Sequence, residues 1–447
     1  MNLFTNRAAR SARAADSPRR SRRCTTRPLA ALLLLFVLAA ADAQAQHRDE
    51  GHWIASWTAS PQPVWDANFA LPANVPERLQ DRTVRQIARV SLGGRRVRVL
   101  LSNEYGEHPL VVGAVHVALA GNGAAVVPES DRALTFGGSA SATIPPGAPA
   151  LSDPVDLPLP VLSSVAVSLY LPQSTGLSTF HWDGRQTAHL GRGDQAGSET
   201  LDADATLTAR LFLAAILVDA PANAGAVVAF GDSITDGAMA TTDANRRWPD
   251  RLAERLAPRN VAVLNAGISG ARVLRDKMGA NALARFERDV LAQPGVRAAV
   301  VLMGINDLAW NGTIFAPGDP PLPAEELIAG YRQLIARARA RGVRIVGATL
   351  TPFEGALQDS PMRGYYGADK ERVRQRVNAW MRESGEFDAL LDFDAVTRDP
   401  AHPARFLPAY DSGDHLHPGD AGYKAMADSI DPSLLLGEPA APTGAVP

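Results

Sequence analysis

Cysteine is almost missing from this sequence: the chain has one, Cys24. A single thiol closes no intrachain disulfide, and its place near the N-terminus leaves the remaining chain without a thiolate nucleophile or a cysteine metal site. Long apolar runs are also scarce. The stretch from Leu29 to Ala41 stands out, and it is too short for a permanent membrane anchor, which needs about 20 residues. A net positive balance is confined to the first 45 residues. That segment holds eight arginines against Asp16 and Asp42, so taking six positive charges from a chain at −2 leaves −8. An acidic remainder argues against nucleic acid, because phosphate contacts need Lys and Arg. Histidines 108, 116, 181 and 189 are dispersed without ligand spacing, which argues against a metal site. Gly191-Arg-Gly193 lacks the third glycine of a dinucleotide fingerprint.

What is present begins with a basic stretch to Arg27, an apolar run, and Ala41-Asp-Ala-Gln-Ala45. That order predicts a secretory signal peptide over residues 1–45, cleaved after Ala43 or Ala45. Residues 46–218 then read as short strands: 83–90, 96–101, 111–119, 164–171 and 210–218, with turn residues such as Leu92-Gly-Gly between them. This pattern predicts a β-sandwich. Its tryptophans at 53, 57, 65 and 182 suit packing or stacking on sugar rings alike. Residues 219–225 read as a linker and 437–447 as a disordered tail. Between these, residues 226–436 alternate strand and helix. Strands are expected at 226–230, 261–264, 298–303, 343–350 and 389–392, and helices at 248–256, 282–291, 324–341, 368–383 and 420–430. Short apolar strands separated by helices predict an α/β domain with a parallel sheet covered on both faces.

Ligands of such sheets bind beyond the carboxyl ends of the strands. The first strand runs into Gly231-Asp-Ser233, the second into Asn265-Ala-Gly-Ile-Ser-Gly270, and the third into Gly304-Ile-Asn306-Asp307. The fifth leads, after a loop, to Asp414-His-Leu-His417. A serine hydroxyl needs a base to become a nucleophile. Histidine suits that task near neutrality, and a carboxylate fixes its tautomer. The set therefore predicts Ser233 as nucleophile, His417 as base and Asp414 as its orienter. Asp411 and His415 are the competing pair in the same loop. The Ser233 N–H, the Gly270 N–H and the Asn306 amide are candidate oxyanion donors.

These four blocks resemble the SGNH or GDSL hydrolase superfamily, with Ile234 where the family name has leucine. The resemblance spans roughly residues 226–432. It implies a flavodoxin-like sheet and hydrolysis of oxygen esters without metal or other cofactor, with Gly270 and Asn306 in the oxyanion roles. A β-domain ahead of this unit is similar to carbohydrate esterases, which makes an acetyl ester on a polysaccharide or smaller molecule the expected substrate. The competing expectations are an esterase for lipid-like or aryl esters, an acyltransferase, and a carbohydrate-binding protein whose hydrolase domain is inactive.

Overall fold

The computed structural model describes residues 51–437. The signal-peptide and tail readings, and Cys24, lie outside these residues. The described residues from His52 onward form one compact unit.

Its N-terminal half is a sandwich of antiparallel sheets. One sheet has the order Trp53–Thr58, Leu213–Asp219, Gly94–Ser102, Pro149–Leu151, with Val155–Leu159 also paired to Gly94–Ser102. The other runs Ala203–Leu207, Ala188–Arg192, Arg82–Arg89, Ser164–Leu171, Ala114–Leu119, Arg132–Ala133. The period-2 pattern explains the inner faces. In Gly94–Ser102, Val97, Val99 and Leu101 are fully buried while Arg96 and Arg98 turn outward. They share one apolar cluster with Val84, Val165, Val167 and Leu169 of the opposite sheet.

Two of the expected strands are interrupted. Residues 111–119 break at Gly113, where a Cβ would stand 2.8 Å from the Tyr170 ring. The segment 210–218 breaks at Phe212, whose φ is +59°. Apolar patterning alone does not reveal either break.

The C-terminal half has a five-stranded parallel sheet in the order Val261–Gly267, Gly225–Gly231, Val296–Leu302, Arg344–Ala348, Ala389–Leu391. Numbered along the chain this is 2-1-3-4-5, the flavodoxin-like order, whose switch point lies beside the first strand. Helix Trp248–Leu256 buries Trp248, Leu252, Ala253 and Leu256. It starts where the Asp250 carboxylate accepts the Arg247 N–H, which satisfies a donor that a helix start leaves free. Helix Ala282–Phe286 continues as a π-turn over Glu287–Leu291.

The sandwich covers the outer edge of the parallel sheet. Strand Trp53–Thr58 packs against Val261–Gly267. The Ser91 hydroxyl donates to the Val263 carbonyl at 2.7 Å, and the Thr58 hydroxyl to the Asn265 carbonyl at 3.1 Å. An edge strand exposes a row of such unpaired groups; here the hydroxyls of the β-half occupy two of them.

Candidate active site

Strand Gly225–Gly231 is apolar on both faces and fully buried, so its carboxyl end is held rigidly. It turns at Asp232 into the short helix Ser233–Asp236, and the Asp232 carboxylate caps that helix by accepting the Ile234 N–H at 3.0 Å. Burial pushes the Asp232 carboxyl up to about 7, against the Ile234 N–H that pulls it down. Arg285 fixes the same strand ends from below. Its buried guanidinium donates to the carbonyls of Gly231 and Ala266, both at 2.9 Å, and pairs with Asp289.

The serine so placed meets the last block. Ser233 Oγ lies 2.8 Å from His417 Nε2, and His417 Nδ1 lies 2.7 Å from Asp414 Oδ2. With its proton on Nδ1, the imidazole leaves Nε2 to accept from the serine hydroxyl. The other Asp414 oxygen accepts the N–H groups of Leu416 and His417 at 2.9 and 2.8 Å. Burial opposes ionisation of Asp414, but the His417 ring and these N–H groups outweigh it and hold the carboxyl well below its ordinary range. The competing residues are paired with each other: His415 Nδ1 lies 2.5 Å from Asp411 Oδ2. His415 lines a separate cavity of about 420 Å³ with Glu354, Tyr366 and Arg405.

Gly270 has φ +75°, and a Cβ there would stand 2.3 Å from Met278 Sδ and 3.0 Å from Trp310 Cζ2. Only glycine suits that conformation in that space. Asn306 sits on the short helix Ile305–Ala309. One Nδ2 hydrogen goes to the Ala271 carbonyl at 2.9 Å, and Oδ1 accepts the Tyr365 hydroxyl. These bonds fix which way the amide faces and leave its second N–H for a ligand. Asp307 accepts the N–H groups of Val273 and Leu274 at 2.7 and 3.0 Å. It thereby holds the loop that follows Gly270. Burial raises its carboxyl to about 6 despite those two bonds.

Residues 229–425 match the model of the GDSL-like Lipase/Acylhydrolase family. That stretch contains the serine, the imidazole and the carboxylate just described. Residues 229–425 are a GDSL-like lipase/acylhydrolase domain.

The acylhydrolase domain makes the protein a carboxylic ester hydrolase. No curated relative matches the chain. Among solved structures, the M. smegmatis aryl esterase is 15% identical, covering 46% of this chain and 96% of that one, with a TM-score of 0.38. A carbohydrate acetylesterase family member from Sinorhizobium meliloti is 18% identical, covering 48% and 99%, with a TM-score of 0.37. A GDSL-like lipase from Bacteroides thetaiotaomicron is 17% identical, covering 47% and 87%, with a TM-score of 0.35. At these scores the likenesses decide nothing about substrate.

Four contributors to this candidate site escape a reading of the sequence. Asp307 reads as part of a turn, although its place beside Asn306 was a usable signal. Tyr365 lies in an irregular loop, and Arg285 on a helix remote in sequence. Asp236 belongs to the first block but carries no reactive role there. Its partner comes from the β-half: His181 Nε2 lies 2.9 Å from Asp236 Oδ1. Among the described residues no group of three or more His, Cys, Asp or Glu side chains is gathered as metal ligands.

Proposed function

We propose that the protein is an exported serine esterase that removes short acyl groups, acetyl foremost, from carbohydrate. The observation that carries the reaction is the unbroken chain Ser233–His417–Asp414. His417 takes the hydroxyl proton as Ser233 Oγ attacks the ester carbonyl, and Asp414 stays ionised and steadies the imidazolium. The oxyanion is met by the N–H groups of Ser233 and Gly270 and by Asn306 Nδ2. His417 then gives its proton to the departing alcohol, leaving an acyl group on Ser233. Water, activated by the same imidazole, releases the acid and restores the serine.

A short acyl group is supported by the large side chains at the oxyanion glycine, Met278 and Trp310. Export rests on the basic–apolar–small order of residues 1–45. No helix among the described residues is long and apolar enough to cross a membrane. The alternative, a lipid-like or aryl ester, draws support from Met239 and Ile314, which are 49% and 54% exposed. Purified protein should be assayed on aryl esters of increasing chain length and on acetylated xylan. A steep fall beyond acetyl, with acetate released from the polymer, is the expected result. Rates that rise with chain length would favour the lipid-like reading.

A further inference from the structure

We infer that His181, supplied by the β-sandwich, is a positioning residue for the oxyanion site of the other half; this rests on the proposed roles of Ser233 and Gly270. His181 ends strand Thr179–His181. Both of its ring nitrogens face acceptors: Nδ1 is 3.1 Å from the Ser60 carbonyl, and Nε2 is 2.9 Å from Asp236 Oδ1. An imidazole donates from both nitrogens only as the cation. Burial works against that charge, but the Asp236 carboxylate and the Ser60 carbonyl outweigh it, with Arg210 opposing, and the pKa lies above the ordinary value. The pair is closed to solvent, with side-chain exposures of 6% and 2%.

Asp236 is the hub. It ends the short helix that Ser233 begins. Its second oxygen, Oδ2, accepts both the backbone N–H of Ser269 at 3.0 Å and the Ser269 hydroxyl at 2.8 Å. Ser269 immediately precedes Gly270. One carboxylate thus ties the nucleophile's helix to the oxyanion loop. Gly267 makes the approach possible, since a Cβ there would stand 2.3 Å from the Asp236 nitrogen. A buried carboxylate oxygen left without a donor would be costly; His181 Nε2 meets Oδ1, while the buried Arg247 guanidinium supplies further positive charge to the same carboxylate. The β-half therefore sets the position of the Gly270 N–H relative to Ser233 without touching the substrate. Misplacing such a group by about 1 Å can cost on the order of 10²-fold in rate.

The test uses the full chain and a small aryl acetate. His181→Ala should lower kcat about 10- to 100-fold with KM little changed. His181→Gln, which can still donate to Asp236, should recover most of the loss. Ser269→Ala should lower kcat in the same way. The double variant should be no worse than the poorer single, because both act through Asp236. A folded His181→Ala protein with normal kcat overturns the proposal, as do losses that multiply in the double variant. If His181→Ala does not fold, a normal kcat in Ser269→Ala overturns it instead. Labelling by a serine-directed phosphonate separates the two levels of inference. An unlabelled Ser233 in the parent protein removes the site reading itself. A labelled parent whose folded His181→Ala and Ser269→Ala variants keep full kcat removes only the role of His181.

Discussion

In the proposed mechanism Ser233 and His417 act as a unit, so their loss should be equally severe. Ser233→Ala and His417→Ala should each reduce ester hydrolysis by roughly 10⁴-fold or more, measured on protein whose melting curve is unchanged. His415→Ala should be mild, because that ring is engaged by Asp411 and not by Ser233 or Asp414; an inactive His415→Ala protein would reverse the assignment. Asn306→Ala should cost about 10²–10³ in kcat. Tyr365→Phe should cost less, since it removes only the bond that orients the amide. Asp232 makes a different prediction. Its folded carboxyl titrates at about 7, far above an unfolded aspartate at about 3.9. Between those values the folded protein holds a proton that the unfolded chain has released, so stability falls as pH rises through that window. Asp232→Asn should flatten the fall, as followed by melting temperature from pH 4 to pH 7. The residues joined as Ser233–His417–Asp414 could be picked out in the sequence, because chemistry restricts the types that a proposed nucleophile, base and orienter can take. Asp236 and His181 could not, because nothing local pairs residues 55 positions apart.

At the scale of elements, the helical period was enough for some helices. The expected spans 248–256 and 368–383 coincide with Trp248–Leu256 and Ala368–Glu383. Where the backbone departs from the regular period, the reading fell short. Phe212 adopts φ +59° within an apolar run, and the expected helix 282–291 changes to a π-turn at Glu287. Gly270 shows how an element's conformation serves the site. Gly270→Ala should lower kcat more than it lowers melting temperature, because the new methyl must displace the Met278 side chain and strain a left-handed residue. A variant with normal kcat would show that the Gly270 N–H is not an oxyanion donor.

At the scale of the molecule, both halves and their order were legible, since strand and helix periods differ sharply. Their mutual dependence was not. The seam is made by groups far apart in sequence, such as Gln62 donating to the Met278 carbonyl and Arg288 to the Pro61 carbonyl. A fragment 222–447 should therefore aggregate, because the edge of Val261–Gly267 and the apolar surface beneath Trp53–Thr58 would be uncovered. A soluble fragment with full activity would contradict this. The same seam has a consequence for synthesis. Strand Trp53–Thr58 pairs in register with residues 215–219, which the ribosome adds roughly 160 residues later, about ten to thirty seconds at ordinary elongation rates. Ile54, Ala55 and Trp57, all buried in the finished protein, wait through that interval without their partner strand. The nascent chain is thus open longest at its N-terminal end, and that is where a holding chaperone would be needed most.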